Sequence, residues 1–255
     1  MKKSGFTIAE ALITLAIIGV VAALVIPTFV SNYRKQVYVT TLSKAVSDFE
    51  TAMSVMIMKE GKDTLFQTNA LSSIAENVSL GSESDDDVIQ KFVGNIGGTL
   101  GLLFNPSVKS ATDLYGEKIH NLDSSEIKTS EDVVLQTVLP LNTKNEVTYL
   151  IYINNLVEDS ASMSEQVALA AGTNLTEKVA DVLIDVNAAA SPNIIGRDIF
   201  YYVLGSDGRL YPEYGHDFCV YNEEEYEDVG KKCITDQEGK ACGAYLMNNG
   251  YRMDY

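Results

Sequence analysis

The chain has 255 residues, with 19 lysines and arginines against 35 aspartates and glutamates, and a formal net charge of −16 at neutral pH. A surface of this sign repels phosphate backbones, so the composition argues against nucleic-acid binding through bulk electrostatics. The length accommodates one anchor helix with one globular domain or two small ones.

An apolar stretch near the amino terminus runs from Phe6 to Ile26 and contains one acid, Glu10. At 1.5 Å per residue this stretch spans about 32 Å as a helix, close to the thickness of a bilayer core. A carboxylate inside such a helix costs on the order of 3 kcal/mol, so Glu10 requires a partner or a function. No run after Val30 is apolar enough to span a membrane again.

The segment GFTIAE at residues 5–10, followed by this apolar run, resembles the processing site of type IV pilins and type II secretion pseudopilins. The resemblance implies that a prepilin peptidase cuts after Gly5 and that the new amino terminus, Phe6, is N-methylated. It implies that Glu10 pairs with the free amino terminus of a neighbouring subunit, which makes the carboxylate tolerable. Pro27 falls where helices of this family loosen or kink, because proline removes a backbone donor.

An uncleaved signal anchor or a plain transmembrane helix is the alternative interpretation of this segment. Two lysines precede the span, and Arg34, Lys35 and Lys44 follow it, so the positive-inside rule does not decide the orientation. The alternative leaves Glu10 unexplained, and the sequence therefore favours the pilin-like interpretation. Loss of Lys2 and Lys3 with the leader would take the net charge from −16 to −18.

The helix is predicted to continue beyond Pro27. Apolar residues at spacings of three and four form a seam on one face: Val39, Leu42, Val46, Phe49, Met53 and Met56. We therefore predict one helix from about Phe6 to about Met58, ending near Gly61, whose second half packs its seam on a sheet.

Signals are weak from Asp63 to about Asp132. Asp85–Asp87 before VIQKFVGNI predicts an acid-capped short helix. A calcium site is the alternative use of these aspartates, although their spacing is not that of an EF-hand loop. The stretch NIGGTLG at 95–101 indicates a turn and lacks the pattern of a phosphate-binding loop.

Four segments rich in β-branched and aromatic residues predict strands: 132–139, 147–153, 179–186 and 198–204. The first two form a predicted hairpin around the turn-like stretch Pro140–Glu146. Residues 158–178 are rich in serine, alanine and threonine and predict a surface insertion with a short helix. Ser206, Asp207 and Gly208 predict the turn that leads into residues 209–212.

Residues 182–212 resemble a sheet segment of bacterial pilin-like proteins. In those proteins a strand ending Asp-Val/Ile-Asn-Gly is followed by Pro-Asn and then by Gly-x-Asp-x-Phe. The matching residues are Asp185, Asn187, Pro192, Asn193, Gly196, Asp198 and Phe200. Ala188 stands where glycine is usual, which predicts a turn after Asn187 that is built differently.

The three cysteines lie within the last forty residues. Cys233 and Cys242 flank a polar loop in which Gly239 allows a tight return. A disulfide between them would close a short loop in an oxidising compartment. Cys219 could instead pair with Cys233, and the cysteines could also stay free thiols or form half of a metal site. The closing segment resembles the cysteine-bearing tails of pilin-like proteins.

The sequence contains no evident catalytic constellation. The two histidines, His120 and His216, are not in a metal-ligand spacing, and a Gly-x-Ser-x-Gly elbow is absent. The acids of residues 223–228 could supply carboxylates for glycoside cleavage, but a solvated acidic loop is the simpler interpretation. We therefore expect neither an enzyme nor a bound cofactor, with calcium as the one alternative.

These patterns predict an α+β, pilin-like fold in which one long amino-terminal helix packs on a carboxy-terminal antiparallel sheet. Residues 1–5 are the expected prepilin leader, 6–30 the transmembrane or filament-core helix and 31–60 the amphipathic half. Residues 61–255 form the expected periplasmic or extracellular domain, with a variable insertion at about 63–178.

The resemblance implies a structural subunit of a type IV pilus or type II secretion filament. The alternative is a minor or tip pilin whose middle region binds a surface or secreted cargo. Expected partners are the prepilin peptidase, other copies of the chain, other pilins and the inner-membrane assembly platform. The expected location is the bacterial inner membrane, single-pass with the carboxy-terminal domain outside the cytoplasm, and then a periplasmic pseudopilus or cell-surface filament. Fibre-forming, secretion and competence machines share this amino terminus.

Overall fold

The computed structural model describes residues 7–69, 103–104, 114–116, 118–127, 139–142, 147–152, 166–168, 175–188, 190–212, 233, 235 and 238–255. The chain divides into two compact units, Met1–Val37 and Tyr38–Tyr255. The predictions for Asp85–Asp87 and for the turn at 95–101 lie outside the described residues.

One helix, α1, runs from Ile8 to Glu60 without interruption at Pro27, which confirms the predicted long helix. It ends at Gly61, whose φ of +63° is in the left-handed region. The Gly61 and Lys62 amides donate to the Met58 and Ile57 carbonyls, each at 3.1 Å. This pair of bonds is a Schellman motif, which satisfies carbonyls that the helix end would otherwise leave unbonded.

The other elements with described bounds are a 3-10 turn at Leu65–Gln67, a short helix α2 at Cys242–Asn248 and a set of strands. The strands are β1 (Leu103–Phe104), β2 (Ile119–His120), β3 (Glu126–Ile127), β4 (Leu139–Asn142), β5 (Thr148–Tyr152), β6 (Gln166–Ala168), β7 (Leu175–Asp185), β8 (Ile199–Gly205) and β9 (Leu210–Pro212). The main sheet has the order β1-β4-β5-β7-β8-β9, and β6 also pairs with β7. All of its pairings are antiparallel, as predicted, and β2 and β3 form a separate pair.

The predicted seam of α1 forms the main core. All six of its residues are buried, together with Ala45 and Ala52. The Phe49 and Tyr149 rings lie 5.2 Å apart, and the Tyr149 hydroxyl donates to the Ala45 carbonyl at 2.9 Å. This bond gives the buried hydroxyl a partner in place of water, and it fixes β5 against the helix.

The opposite face of the central strands is covered as well. Leu150 of β5, Leu183 of β7 and Tyr201 of β8 pack in a second cluster with Tyr115 and Ile119. Strands buried on both faces read as nearly continuous apolar runs, which is why residues 182–186 and 199–204 carry clear strand signals.

Two predictions for the middle of the chain were wrong, and one helix near its end was missed. The turn expected from Pro140 begins later, because the ladder from β4 to β5 continues from Pro140↔Leu150 to Asn142↔Thr148. Proline is compatible with a strand where its missing N–H is not needed for pairing. The insertion expected at 158–178 contains β6 and the start of β7, and α2 was not predicted. Residues 132–138 lie outside the described part.

The turn after β7 differs from its prediction. Ala188 has a φ of +51°, in the left-handed region that the usual glycine would adopt, so the turn keeps the glycine conformation without a glycine. A left-handed alanine costs roughly 1–2 kcal/mol because its Cβ approaches the following carbonyl.

We expect Ala188→Gly to raise the free energy of unfolding by about 0.5–1 kcal/mol, since relief of strain exceeds the added entropy of the unfolded chain. The measurement is urea unfolding of the full chain in detergent, followed by the near-ultraviolet circular dichroism of its tyrosines. Ala190→Gly is the matched control, because Ala190 is exposed and lies in the same loop, and the change adds the same entropy to the unfolded chain. The control is expected to lose about 0.4–1 kcal/mol. Equal losses in both variants would contradict the strain at Ala188.

Candidate functional site

The first described residues form a closed hydrogen-bonded start of α1. The Thr7 amide and hydroxyl donate to Glu10 Oε2 at 2.9 and 2.8 Å. The Glu10 amide donates to Thr7 Oγ1 at 3.3 Å. This reciprocal pattern is a capping box, which satisfies amides at the helix start. Gly5 and Phe6, the predicted processing residues, lie outside the described part.

Thr7 is a residue of this site that was not predicted. Thr7-Ile8-Ala9-Glu10 has the spacing of a capping box, and it directly precedes an apolar run. The sequence thus contains a local signal for a partner of Glu10 within the same chain, besides the intermolecular partner that the resemblance implies. The structure gives Glu10 a partner within its own chain.

The helix surface that follows Glu10 is apolar and exposed. Large side chains between Ile8 and Phe29 are 54% to 82% exposed, and Glu10 is the one charged residue from Thr7 to Tyr33. Among the described helices, α1 is long and apolar enough to cross a membrane, judged by length and composition. Burying a dozen such side chains is worth on the order of 20 kcal/mol. This surface therefore requires lipid or protein around it.

In the second unit, a hydrogen-bonded loop joins β7 and β8 and surrounds the Asp198 side chain. The Asp198 carboxylate accepts hydrogen bonds from the Ile194 amide at 2.6 Å and the Asn193 amide at 2.9 Å. It accepts a third from Asn187 Nδ2 at 3.1 Å. Asp198 is fully buried, so these donors compensate the carboxylate for the water that it has lost.

Asp185 is a second fully buried carboxylate in the same network. It accepts from the Tyr115 hydroxyl at 2.5 Å and from the Asn187 amide at 2.9 Å. Asn187 therefore donates to both acids, with its backbone to one and its side chain to the other. Its side chain also donates to the Ala190 carbonyl at 2.7 Å and lies 3.4 Å from the Tyr38 hydroxyl on α1.

Burial dominates the electrostatics of this network. It raises the pKa of Asp198 to about 6, with the Asp185 charge acting in the same direction and the amide donors opposing both. It also raises the pKa of the Tyr115 hydroxyl, to which the negative Asp185 contributes. Both shifts follow from the cost of placing charge in an apolar interior.

Several distant segments dock on this loop. The His120 amide donates to the Asn193 carbonyl at 3.0 Å, and the Ile195 amide donates to the His120 carbonyl at 2.9 Å. The Tyr255 hydroxyl donates to the Gly196 carbonyl at 2.7 Å. Parts of the chain that are far apart in sequence thus meet at residues 193–196.

The disulfide loop docks on the same residues. Cys233 and Cys242 are joined, with an S–S distance of 2.07 Å, and this is the pair that the sequence favours. Cys219 lies outside the described part. A Cβ added at Gly196 would lie 2.8 Å from the Gly239 carbonyl oxygen and 2.9 Å from Cys242 Sγ. The two backbones can approach this closely because neither residue has a side chain.

No group of three or more His, Cys, Asp or Glu side chains that could hold a metal ion occurs among the described residues. His120, one of the two histidines that the sequence places in no metal-ligand spacing, lies on β2 and bonds through its backbone. His216, the acids of 223–228 and Asp85–Asp87 lie outside the described part.

Comparison with known proteins gives a match at the amino terminus. Residues 1–26 match the family model described as the prokaryotic N-terminal methylation motif, which is the type IV pilin and pseudopilin signature. Neither a curated protein nor a solved structure matches the chain.

We expect Gly196→Ala to lower the free energy of unfolding by about 2–4 kcal/mol, from a left-handed φ of +80° and from overlap with Gly239. Gly116→Ala is the matched control, since its φ is +61° and no atom lies within 4 Å of its added Cβ. The control should lose only about 1–2 kcal/mol. Urea unfolding of both full-length variants makes the comparison, and equal losses would show that the close approach at Gly196 does not matter.

Proposed function

We propose that this chain, whose first 26 residues carry the type IV pilin and pseudopilin signature, is a structural subunit of a type IV pilus or type II secretion filament. The observation that carries the proposal is the coincidence of that motif with a helix whose apolar surface is exposed from Ile8 to Phe29. A filament of packed helices buries such a surface. The motif points to a structural subunit and not to an enzyme.

Processing comes first in the proposed sequence of events. A prepilin peptidase removes residues 1–5, and Phe6 becomes the methylated amino terminus. The apolar helix stays with the mature protein and holds it in the membrane. Both the length and composition of the helix and the presence of the motif support this step. The acidic domain then lies outside the cytoplasm, where its charge supports solubility.

Besides its bonds to Thr7, Glu10 has a second, proposed partner in the filament. Both Thr7 donors reach the same oxygen, Oε2. This geometry supports Oε1 as the atom that approaches the amino terminus of a neighbouring subunit in the filament. A cation beside the carboxylate offsets the cost of its burial among apolar helices. The capping box meanwhile holds the carboxylate at the end of the helix.

We expect Glu10→Gln to be cleaved normally but to enter sheared filaments at least tenfold less than the wild type. Glutamine retains the capping box, because its carbonyl oxygen accepts the same bonds, so the variant removes the charge alone. The measurement is the amount of processed chain in the sheared and membrane fractions, compared by immunoblot.

Thr14→Val is the control, since Thr14 lies one turn further along and its hydroxyl donates within the helix to the Ala11 carbonyl. It should assemble like the wild type. Wild-type assembly of Glu10→Gln would refute an electrostatic role for Glu10, and assembly lost equally in both variants would indicate a general defect of the helix.

A further inference from the structure

Two buried carboxylates flank the loop between β7 and β8, Asp185 at the end of β7 and Asp198 just before β8, and the proposed filament function does not use them. Asp185 and Asp198 are both fully buried, and Asn187 donates to each, at 2.9 Å from its amide and 3.1 Å from its side chain. A single short residue thus holds two acids in one network. Like charges held together in an apolar interior disfavour full ionisation, so such a pair binds a proton more readily than isolated carboxyls.

Groups from several elements surround the pair. Tyr115 of the 114–116 segment donates to Asp185, and Tyr38 of α1 lies beside the Asn187 side chain. His120 of β2 reaches the loop through its backbone. The loop itself supplies the Asn193 and Ile194 amides, both directed at Asp198. These donors stabilise the charged form, and burial with the second carboxylate opposes them.

We propose that Asp185 and Asp198 act as one proton-binding pair that locks the loop between β7 and β8 more firmly as the surroundings become acidic. The docked segments, including the disulfide loop and Tyr255, are stabilised with it because they contact the same backbone. This device goes beyond filament assembly and is independent of which machine the chain serves.

The direction follows from the two protonation equilibria. The pKa of Asp198 is about 6 in the folded chain, against roughly 3.9 for an unfolded aspartate. The folded state therefore binds a proton that the unfolded state does not between these values. Stability is gained as the pH falls through about 6, and the gain is complete near the unfolded pKa. From about pH 7.5 to about pH 5 the folding equilibrium constant should rise about tenfold.

The test is the pH dependence of urea unfolding for the full chain in detergent, at about 0.5 M salt to screen surface charges. Tyr115→Phe removes a donor that stabilises ionised Asp185, so the pH midpoint of the stability change should move upward. Tyr211→Phe is the matched control, because it removes a hydroxyl that donates to Asp207 in the half-buried turn after β8 at 2.7 Å. Burial also raises the pKa of Glu50, but both variants retain this residue.

An upward shift in Tyr115→Phe with an unmoved midpoint in Tyr211→Phe supports the proton-binding pair. Equal midpoints in the two variants overturn it, even if both lose stability, because a purely structural hydroxyl changes stability without moving a titration. Asp198→Asn is a second test. It removes one carboxylate of the pair, so the tenfold rise in the folding equilibrium constant should be lost. If that variant does not fold, the two tyrosine variants decide the question.

Discussion

A carboxylate that is removed from water must be hydrogen-bonded inside the protein, and Asp198 meets this constraint with donors from the loop that leads up to it. The requirement determines the path of the backbone from Asn187 to Asp198, since three donors have to converge on one side chain. Segments far apart in sequence then contact that backbone: β2 and the carboxy-terminal Tyr255 form hydrogen bonds to it, and the disulfide loop packs closely against it. If the loop took another path, each of them would lose its partner.

The amino-terminal unit obeys a different constraint. Its helix satisfies its backbone internally and closes its first turn with Thr7 and Glu10, as a helix in an apolar medium must. Its large apolar side chains from Ile8 to Phe29, however, are exposed. A surface of this kind is stable in a lipid bilayer or among other helices. The proposed filament subunit uses both environments in succession.

The parts of the fold whose sequence pattern is local and periodic could be predicted from the sequence. The seam from Val39 to Met56 and the strands at 199–205 followed directly from spacing and residue type. The resemblance at residues 185–200 identified the residues of the buried loop. It could not reveal what they do together, because Asn187 links two acids only after β7 and β8 are paired.

Other features were beyond prediction because tertiary contacts decide them. Ala188 adopts a glycine conformation since the bonds on either side hold the turn, and Pro140 stays in a strand since its neighbours complete the ladder. Tyr115 carried no local signal, and its role depends on a contact with a residue 70 positions away. The functional role of Glu10 is a proposal, while the disulfide joins the favoured cysteine pair.

Mass spectrometry of the amino-terminal peptide, compared between sheared surface material and membranes, tests the central claim most directly. The account predicts a peptide that begins at methylated Phe6. Its presence in sheared material would identify an exported filament subunit, and its restriction to membranes would indicate a short pseudopilus or a minor component. A chain that begins at Met1 or Lys2 in every fraction would contradict the account and leave an uncleaved membrane anchor.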